Sequence, residues 1–117
     1  MDHTITRIPP NSDEAERAVL ASMLLERDAI GRVVNILGPA SFYRNAHQLL
    51  FETMATIYER GEPVDIITVG NALGTALADV GGQGYLVDLV GGIPTTAHAE
   101  YYAKIVKEKS TLRRLIQ

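Results

Sequence analysis

Cysteine and tryptophan are both absent from the 117 residues. Without cysteine there is no disulfide scaffold, no thiolate nucleophile and no cysteine zinc site. Long apolar runs are missing too. Ala18–Ala21 and Met23–Leu25 are only a few residues each, and a membrane span needs about 20. The N-terminus carries Asp2 and lacks the apolar stretch of a signal peptide. These absences predict a soluble chain in a reducing, cytoplasmic setting, away from the membrane. No Gly-Lys pair occurs, so the phosphate-cradling G-x-x-x-x-G-K-[ST] loop cannot be written. The glycines at 81, 82, 84, 91 and 92 lack G-x-G-x-x-G spacing and a preceding strand, and read as turn glycines. Histidine appears only as His3, His47 and His98, never as H-E-x-x-H. His47 reads as a satisfied core or surface histidine.

What is present is a single-domain length with 46% hydrophobic residues and a net charge of −3. That charge is unevenly placed. Residues 1–103 hold 6 basic and 13 acidic side chains, whereas 104–117 hold 5 basic and 1 acidic. An acidic body repels phosphate backbones, so little direct DNA binding is expected. A helix-turn-helix reader would need a basic recognition helix. The stretch at Asn45–Arg60 instead sets Arg60 against Glu52 and Glu59.

The periodicity predicts helices throughout. Residues 1–10 end in Ile8-Pro9-Pro10 and read as an extended arm. Ser12 or Asp13 caps a first helix to about Glu26, with Asp13 and Glu16 as a capping box. Ala15, Ala18, Val19 and Met23 form its buried stripe, with Ser22 at the edge. Asp28 caps a second helix carrying Ile30, Val33, Val34 and Leu37, stopped by a left-handed Gly38 before Pro39. Phe42 and Tyr43 plug into the core. Asn45 and Gln48 open a third helix buried through Leu50, Phe51, Met54, Ile57 and Tyr58, ended by Gly61 and Pro63.

Asp65 caps a fourth helix with Ile66, Val69, Ala72 and Leu73 inside. Gly70 and Gly74 weaken it by about 1 kcal/mol each relative to alanine. Residues 76–82 form a loop, and a short helix spans about Tyr85–Val90. Thr95 or Thr96 caps the last helix, which runs through Gln117 with no stop signal. That missing stop predicts a longer parent protein. No stretch alternates long enough for a sheet. The fold expected is all-α, a compact orthogonal bundle of six or seven helices.

Catalysis finds no foothold. Ser12, Ser22, Ser41 and Ser110 sit in cap, helix or turn contexts, and Asp13, Asp28 and Asp65 have local capping roles. No catalytic, cofactor or metal residue is assigned. Tyr85, beside Leu86 and Leu89, packs in the core or docks a partner as an interface aromatic. Tyr101 and Tyr102 cannot face the same way on a helix, so one is core and the other is free for a partner.

Several segments together resemble a known family. They are Ile8-Pro9-Pro10-Asn11-Ser12-Asp13-Glu14-Ala15-Glu16 with Val19-Leu20 and Met23-Leu24, then Phe42-Tyr43-Arg44 with Ala46-His47. Next come Arg60-Gly61-Glu62-Pro63-Val64-Asp65 with Ile67-Thr68, Gly81-Gly82 with Tyr85-Leu86, and Pro94-Thr95 with Ala97. Tyr101-Tyr102-Ala103, Ile105-Val106, Glu108-Lys109-Ser110 and Leu112-Arg113-Arg114-Leu115-Ile116 close the series. In this order they resemble the N-terminal domain of DnaB-type replicative DNA helicases over residues 8–117.

The resemblance implies a globular helical part over 11–95 and, over 96–117, the first helix of a helical hairpin. It implies self-association through hairpins, three pairs forming a collar on a six-membered ring. It implies docking of the C-terminal helicase-binding domain of primase, with a helicase loader as a further partner. Residues matching the family's contact pattern are Tyr85 and Ile116. The parent would be an ATP-dependent helicase, with ATP and Mg held in a RecA-like domain outside this chain. Relatives more often carry better helix formers at the positions of Gly70 and Gly74. The residues alone leave open a free-standing helical adaptor without a motor.

Overall fold

Ser12 starts the first helix, its hydroxyl accepting from the Ala15 amide at 3.1 Å. In the computed structural model, which describes residues 8–116, α1 spans Asp13–Leu25. Residues 1–7 of the expected arm, with His3, lie outside the described residues, as does Gln117. Three acidic residues in the first turn of α1 suit the positive end of its dipole. The expected capping box is not formed. Glu16 turns inward instead and is only 2% exposed.

Helix α1 is buried nearly all round. Val19, Leu20, Ala21, Ser22 and Met23 have no exposed surface, the pattern of a helix enclosed by others. Ser22, expected at the edge of the stripe, is inside; its hydroxyl donates back to the Ala18 carbonyl at 2.9 Å. Around α1 lie α2 (Arg27–Val33), α3 (Asn45–Glu59), α5 (Gly82–Gly91) and α6 (Ala99–Leu115). Helix α4 (Ile66–Leu73) packs on α3 and α5. No strand occurs among the described residues. The fold is all-α, as the periodicity predicts.

Local chemistry sets most boundaries. Glu26, not Asp28, is the cap residue of α2. Gly38 is extended at φ −121°, not left-handed; its amide donates to Ser41 Oγ, opening the 3-10 turn Pro39–Ser41. Phe42 is buried against Phe51 at 5.1 Å between ring centroids, but Tyr43 is exposed. Asn45 forms no cap, and Gln48 donates to the Phe42 carbonyl at 2.8 Å. Leu50, Phe51, Met54 and Ile57 line the inner face of α3, and Tyr58 is half-buried.

Helix α3 ends with Gly61 at φ +73°. The Gly61 amide reaches the Tyr58 carbonyl and the Glu62 amide reaches Ile57, the paired bonds of a Schellman end. Asp65 caps α4 by accepting from the Ile67 and Thr68 amides, each at 2.9 Å, while Thr68 Oγ1 accepts from the Asp65 amide. Ala72, expected inside, is exposed. Where a loop is expected over residues 76–82, Gly74–Val80 form a 3-10 segment and α5 begins at Gly82.

The last helix begins at Ala99, later than expected. Thr95 accepts from the Ala97 amide, while Thr96 donates to Glu26 Oε1 at 2.6 Å. Ala99, Ala103 and Val106 lie against the core, small enough for the α6 and α1 backbones to approach closely. Near the other end, Arg113 donates to the Pro10 and Ser41 carbonyls, each at 2.8 Å.

Candidate docking site

Two ionisable groups sit in the core. His47 is fully buried and Glu16 is 2% exposed. His47 Nδ1 lies 2.7 Å from Glu16 Oε1, and the other carboxylate oxygen accepts from the Tyr43 amide at 2.7 Å. His47 Nε2 lies 2.6 Å from the Tyr85 hydroxyl. With Nδ1–H donated to Glu16, Nε2 accepts a hydrogen bond from the Tyr85 hydroxyl, and both Glu16 oxygens, both His47 nitrogens and the Tyr85 hydroxyl have partners. The imidazole and phenol rings lie nearly parallel, 6.0 Å apart. This line ties α1, the turn before α3, α3 and α5 together. Solvent does not reach Glu16 or His47, so what the line can do is fix geometry.

Tyr85 is the half-buried outer end of that line. Its ring lies under two guanidiniums, Arg17 at 5.4 Å and Arg44 at 5.8 Å from the centroid. Arg44 is held there by Asp13 at 3.0 Å. That hydrogen bond raises the Arg44 pKa against the opposing effect of burial. Burial pushes the Tyr85 phenol above the usual tyrosine range, and Arg44 and Arg17 pull the other way. Tyr85 is thus neither a plain core residue nor a free aromatic.

Ile116 lies elsewhere. It is 65% exposed and borders a cleft of about 460 Å³ with Pro9, Phe42, Tyr43 and Arg113. Arg113 stacks over the Tyr43 ring at 5.4 Å. Tyr85 and Ile116 therefore stand in different settings. Leu112 and Leu115 are exposed on α6 near Ile116, and Tyr101 is exposed where Tyr102 is half-buried. A larger cleft, about 820 Å³, runs between the start of α1 and the α5–α6 connection, with Asp13, Glu14, Arg17, Leu89 and Ile105 in its wall. Among the described residues no three His, Asp or Glu side chains gather as metal ligands.

Read locally, Glu16 is half of a capping box and His47 a satisfied core or surface histidine; His47 is in the core, but its pairing with Glu16 follows from neither local role. The signal was nevertheless present. Residues 16, 19, 20 and 23 share one helical face, as do 47, 50, 51 and 54. A polar residue on each of two apolar stripes calls for a partner inside.

The geometry first defines a class: a small all-helical domain with an ionisable pair locked inside and with Tyr43, Arg44, Tyr101, Leu112 and Leu115 exposed. The model of the DnaB-like helicase N-terminal domain matches residues 8–108, and the chain belongs to that family. It is 50% identical over 113 residues to the replicative DNA helicase DnaB of Geobacillus stearothermophilus, and 47% identical to the replicative DNA helicase DnaC of Bacillus subtilis. Each alignment covers 95% of this chain and 25% of the relative. The chain spans about a quarter of the length of these curated relatives.

Among solved structures, the N-terminal domain of DnaB helicase from Mycobacterium tuberculosis superposes with a TM-score of 0.91 at 46% identity, covering 93% of this chain and 80% of that one. A DnaB-like replicative helicase, solved with its interactions with primase, matches at TM-score 0.82 and 30% identity, covering 90% of this chain and 25% of that one. The N-terminal domain of the Helicobacter pylori DnaB helicase, likewise described with its interactions with primase, matches at TM-score 0.76 and 26% identity. That match covers 88% of this chain and 81% of that one.

Proposed function

We propose that this chain is the assembly and primase-docking part of a replicative DNA helicase. The observation that carries this is the family match over residues 8–108 in a chain aligned with only a quarter of each helicase relative. Two structural neighbours described with primase support the partner. ATP and Mg belong to the rest of such a parent, since the G-x-x-x-x-G-K-[ST] loop that cradles phosphates cannot be written in these residues. The parent unwinds DNA; this part binds proteins, including other copies of itself and a helicase loader. Residues 11–95 act as its globular part and 96–117 as the start of its hairpin. Its place is the cytoplasm, at the nucleoid.

Tyr85 and Ile116 are the contact residues for primase or for self-association. The test is titration calorimetry with the C-terminal helicase-binding domain of primase from the same cell. Tyr85→Ala and Ile116→Ala each weaken binding by about tenfold, the scale of an interface hot spot. Ile116 is exposed at the end of α6, so its variant keeps the wild-type melting temperature. Wild-type protein that binds no primase domain would overturn the reading.

A further inference from the structure

Tyr85 is a peculiar interface residue, since its hydroxyl is turned inward to His47 at 2.6 Å. With its proton engaged there, that hydroxyl is not free to donate to a partner. What remains outside is the ring and the two guanidiniums laid against it, from Arg17 and Arg44. Asp13 neutralises Arg44 at 3.0 Å. Arg17 has no ion-pair partner among the described residues. Tyrosine and arginine are the residue types that dominate protein interfaces.

The interior explains why the cluster stands as it does. A buried Glu–His pair is a costly way to fill a core, and an apolar pair of similar volume serves stability as well or better. Satisfied polar networks do something else: they select one arrangement of the groups they join. Here the network joins α1, which carries Arg17, to α5, which carries Tyr85, and to the Tyr43 amide beside Arg44. All three groups of the cluster are attached, directly or as chain neighbours, to one hydrogen-bonded line.

We propose that Arg17, Tyr85 and Arg44 form one docking cluster, that Glu16 and His47 are its positioning residues, and that the cluster takes a partner surface bearing an apolar side chain beside a carboxylate. Arg17 receives the carboxylate and the Tyr85 ring receives the apolar group. This rests on the primase-docking reading above and adds the chemistry of the contact. The partner patch is acidic and apolar, matched to the Arg17 guanidinium, which has no ion-pair partner among the described residues, on a body of 6 basic against 13 acidic residues over 1–103.

The experiment titrates the primase C-terminal domain into wild type, Arg17→Glu, His47→Asn and His47→Gln, well below each melting temperature. Arg17→Glu weakens binding by about tenfold, more at low salt than at high salt. His47→Asn keeps a donor for Glu16 but withdraws the partner of the Tyr85 hydroxyl, and weakens binding by about fivefold. His47→Gln keeps a group at the Nε2 position and stays within about twofold of wild type. A purely structural pair would lower the melting temperature in both His47 variants and leave both affinities alike. Wild-type binding with Arg17→Glu unchanged, or with the two His47 variants equal, overturns this inference while the docking reading stands. Absence of wild-type binding overturns the docking reading and this inference with it.

Discussion

Tyr85 faces two ways, and its ionisation reports on that. Burial holds the phenol above its ordinary value, with the guanidiniums of Arg44 and Arg17 opposing. The folded state therefore favours the neutral phenol. Its contribution to stability is complete below the unfolded pKa, about 10, and is lost as pH rises through the higher folded value. Relative to Tyr85→Phe, wild-type protein should lose stability above pH of about 10 and hold a constant difference below it. Urea midpoints of both proteins across that range check this, and a constant difference throughout would refute it. His47 makes a second prediction. His47→Leu leaves the Glu16 carboxylate with a single hydrogen bond in the core and costs about 3 kcal/mol of unfolding free energy. Urea denaturation that shows no loss would mean the pair is not buried as described. The identity and helical register of both residues were legible; their meeting was not, because they are 31 residues apart.

Glycines punctuate the elements, and two of them separate conformation from contact. Gly61 sits at φ +73°, with open space where a Cβ would go. Gly61→Ala therefore costs only the left-handed strain, about 1–2 kcal/mol. Gly70 is ordinary helix, but a Cβ there would clash with Gln83 Oε1. Gln83 uses that opening to donate to the Ile66 carbonyl at 2.8 Å. Gly70→Ala gains about 1 kcal/mol of helix propensity and displaces one exposed hydrogen bond of similar worth, leaving stability within about 0.5 kcal/mol. Chemical denaturation of the two variants checks both signs. The Asp65 cap and the Gly61 stop were legible because they act within a few residues of sequence. The reason for Gly70 was not, since α4 had to meet α5 before the side chain of Gln83 was seen to need the room.

Across the whole molecule, charge is divided between an acidic body and a basic last helix. The acidic body keeps its ions local: Arg32 pairs with Glu26 and Glu100, and Arg44 with Asp13. The sequence contains no Gly-Lys pair and so no G-x-x-x-x-G-K-[ST] loop, and the expected outcome is that the isolated 117 residues show no ATP turnover. A phosphate-release assay on protein purified to homogeneity checks this; turnover that follows the protein through gel filtration would contradict it. What the sequence by itself determined was class and order: all-α, the succession of helices, the Ser12 and Asp65 caps with the Gly61 stop, and the family. Those follow from periodicity and capping, which act over one or two turns. Only the tertiary structure decided that Glu16 leaves its cap for the core, that Tyr43 points out where Phe42 points in, and that Tyr85 turns its hydroxyl to His47. The hydrogen bonds that join Glu16, the Tyr43 amide, His47 and Tyr85 span 27 to 38 residues of sequence. A side chain with a good local option takes the distant one when burial leaves a polar atom that nothing else can satisfy.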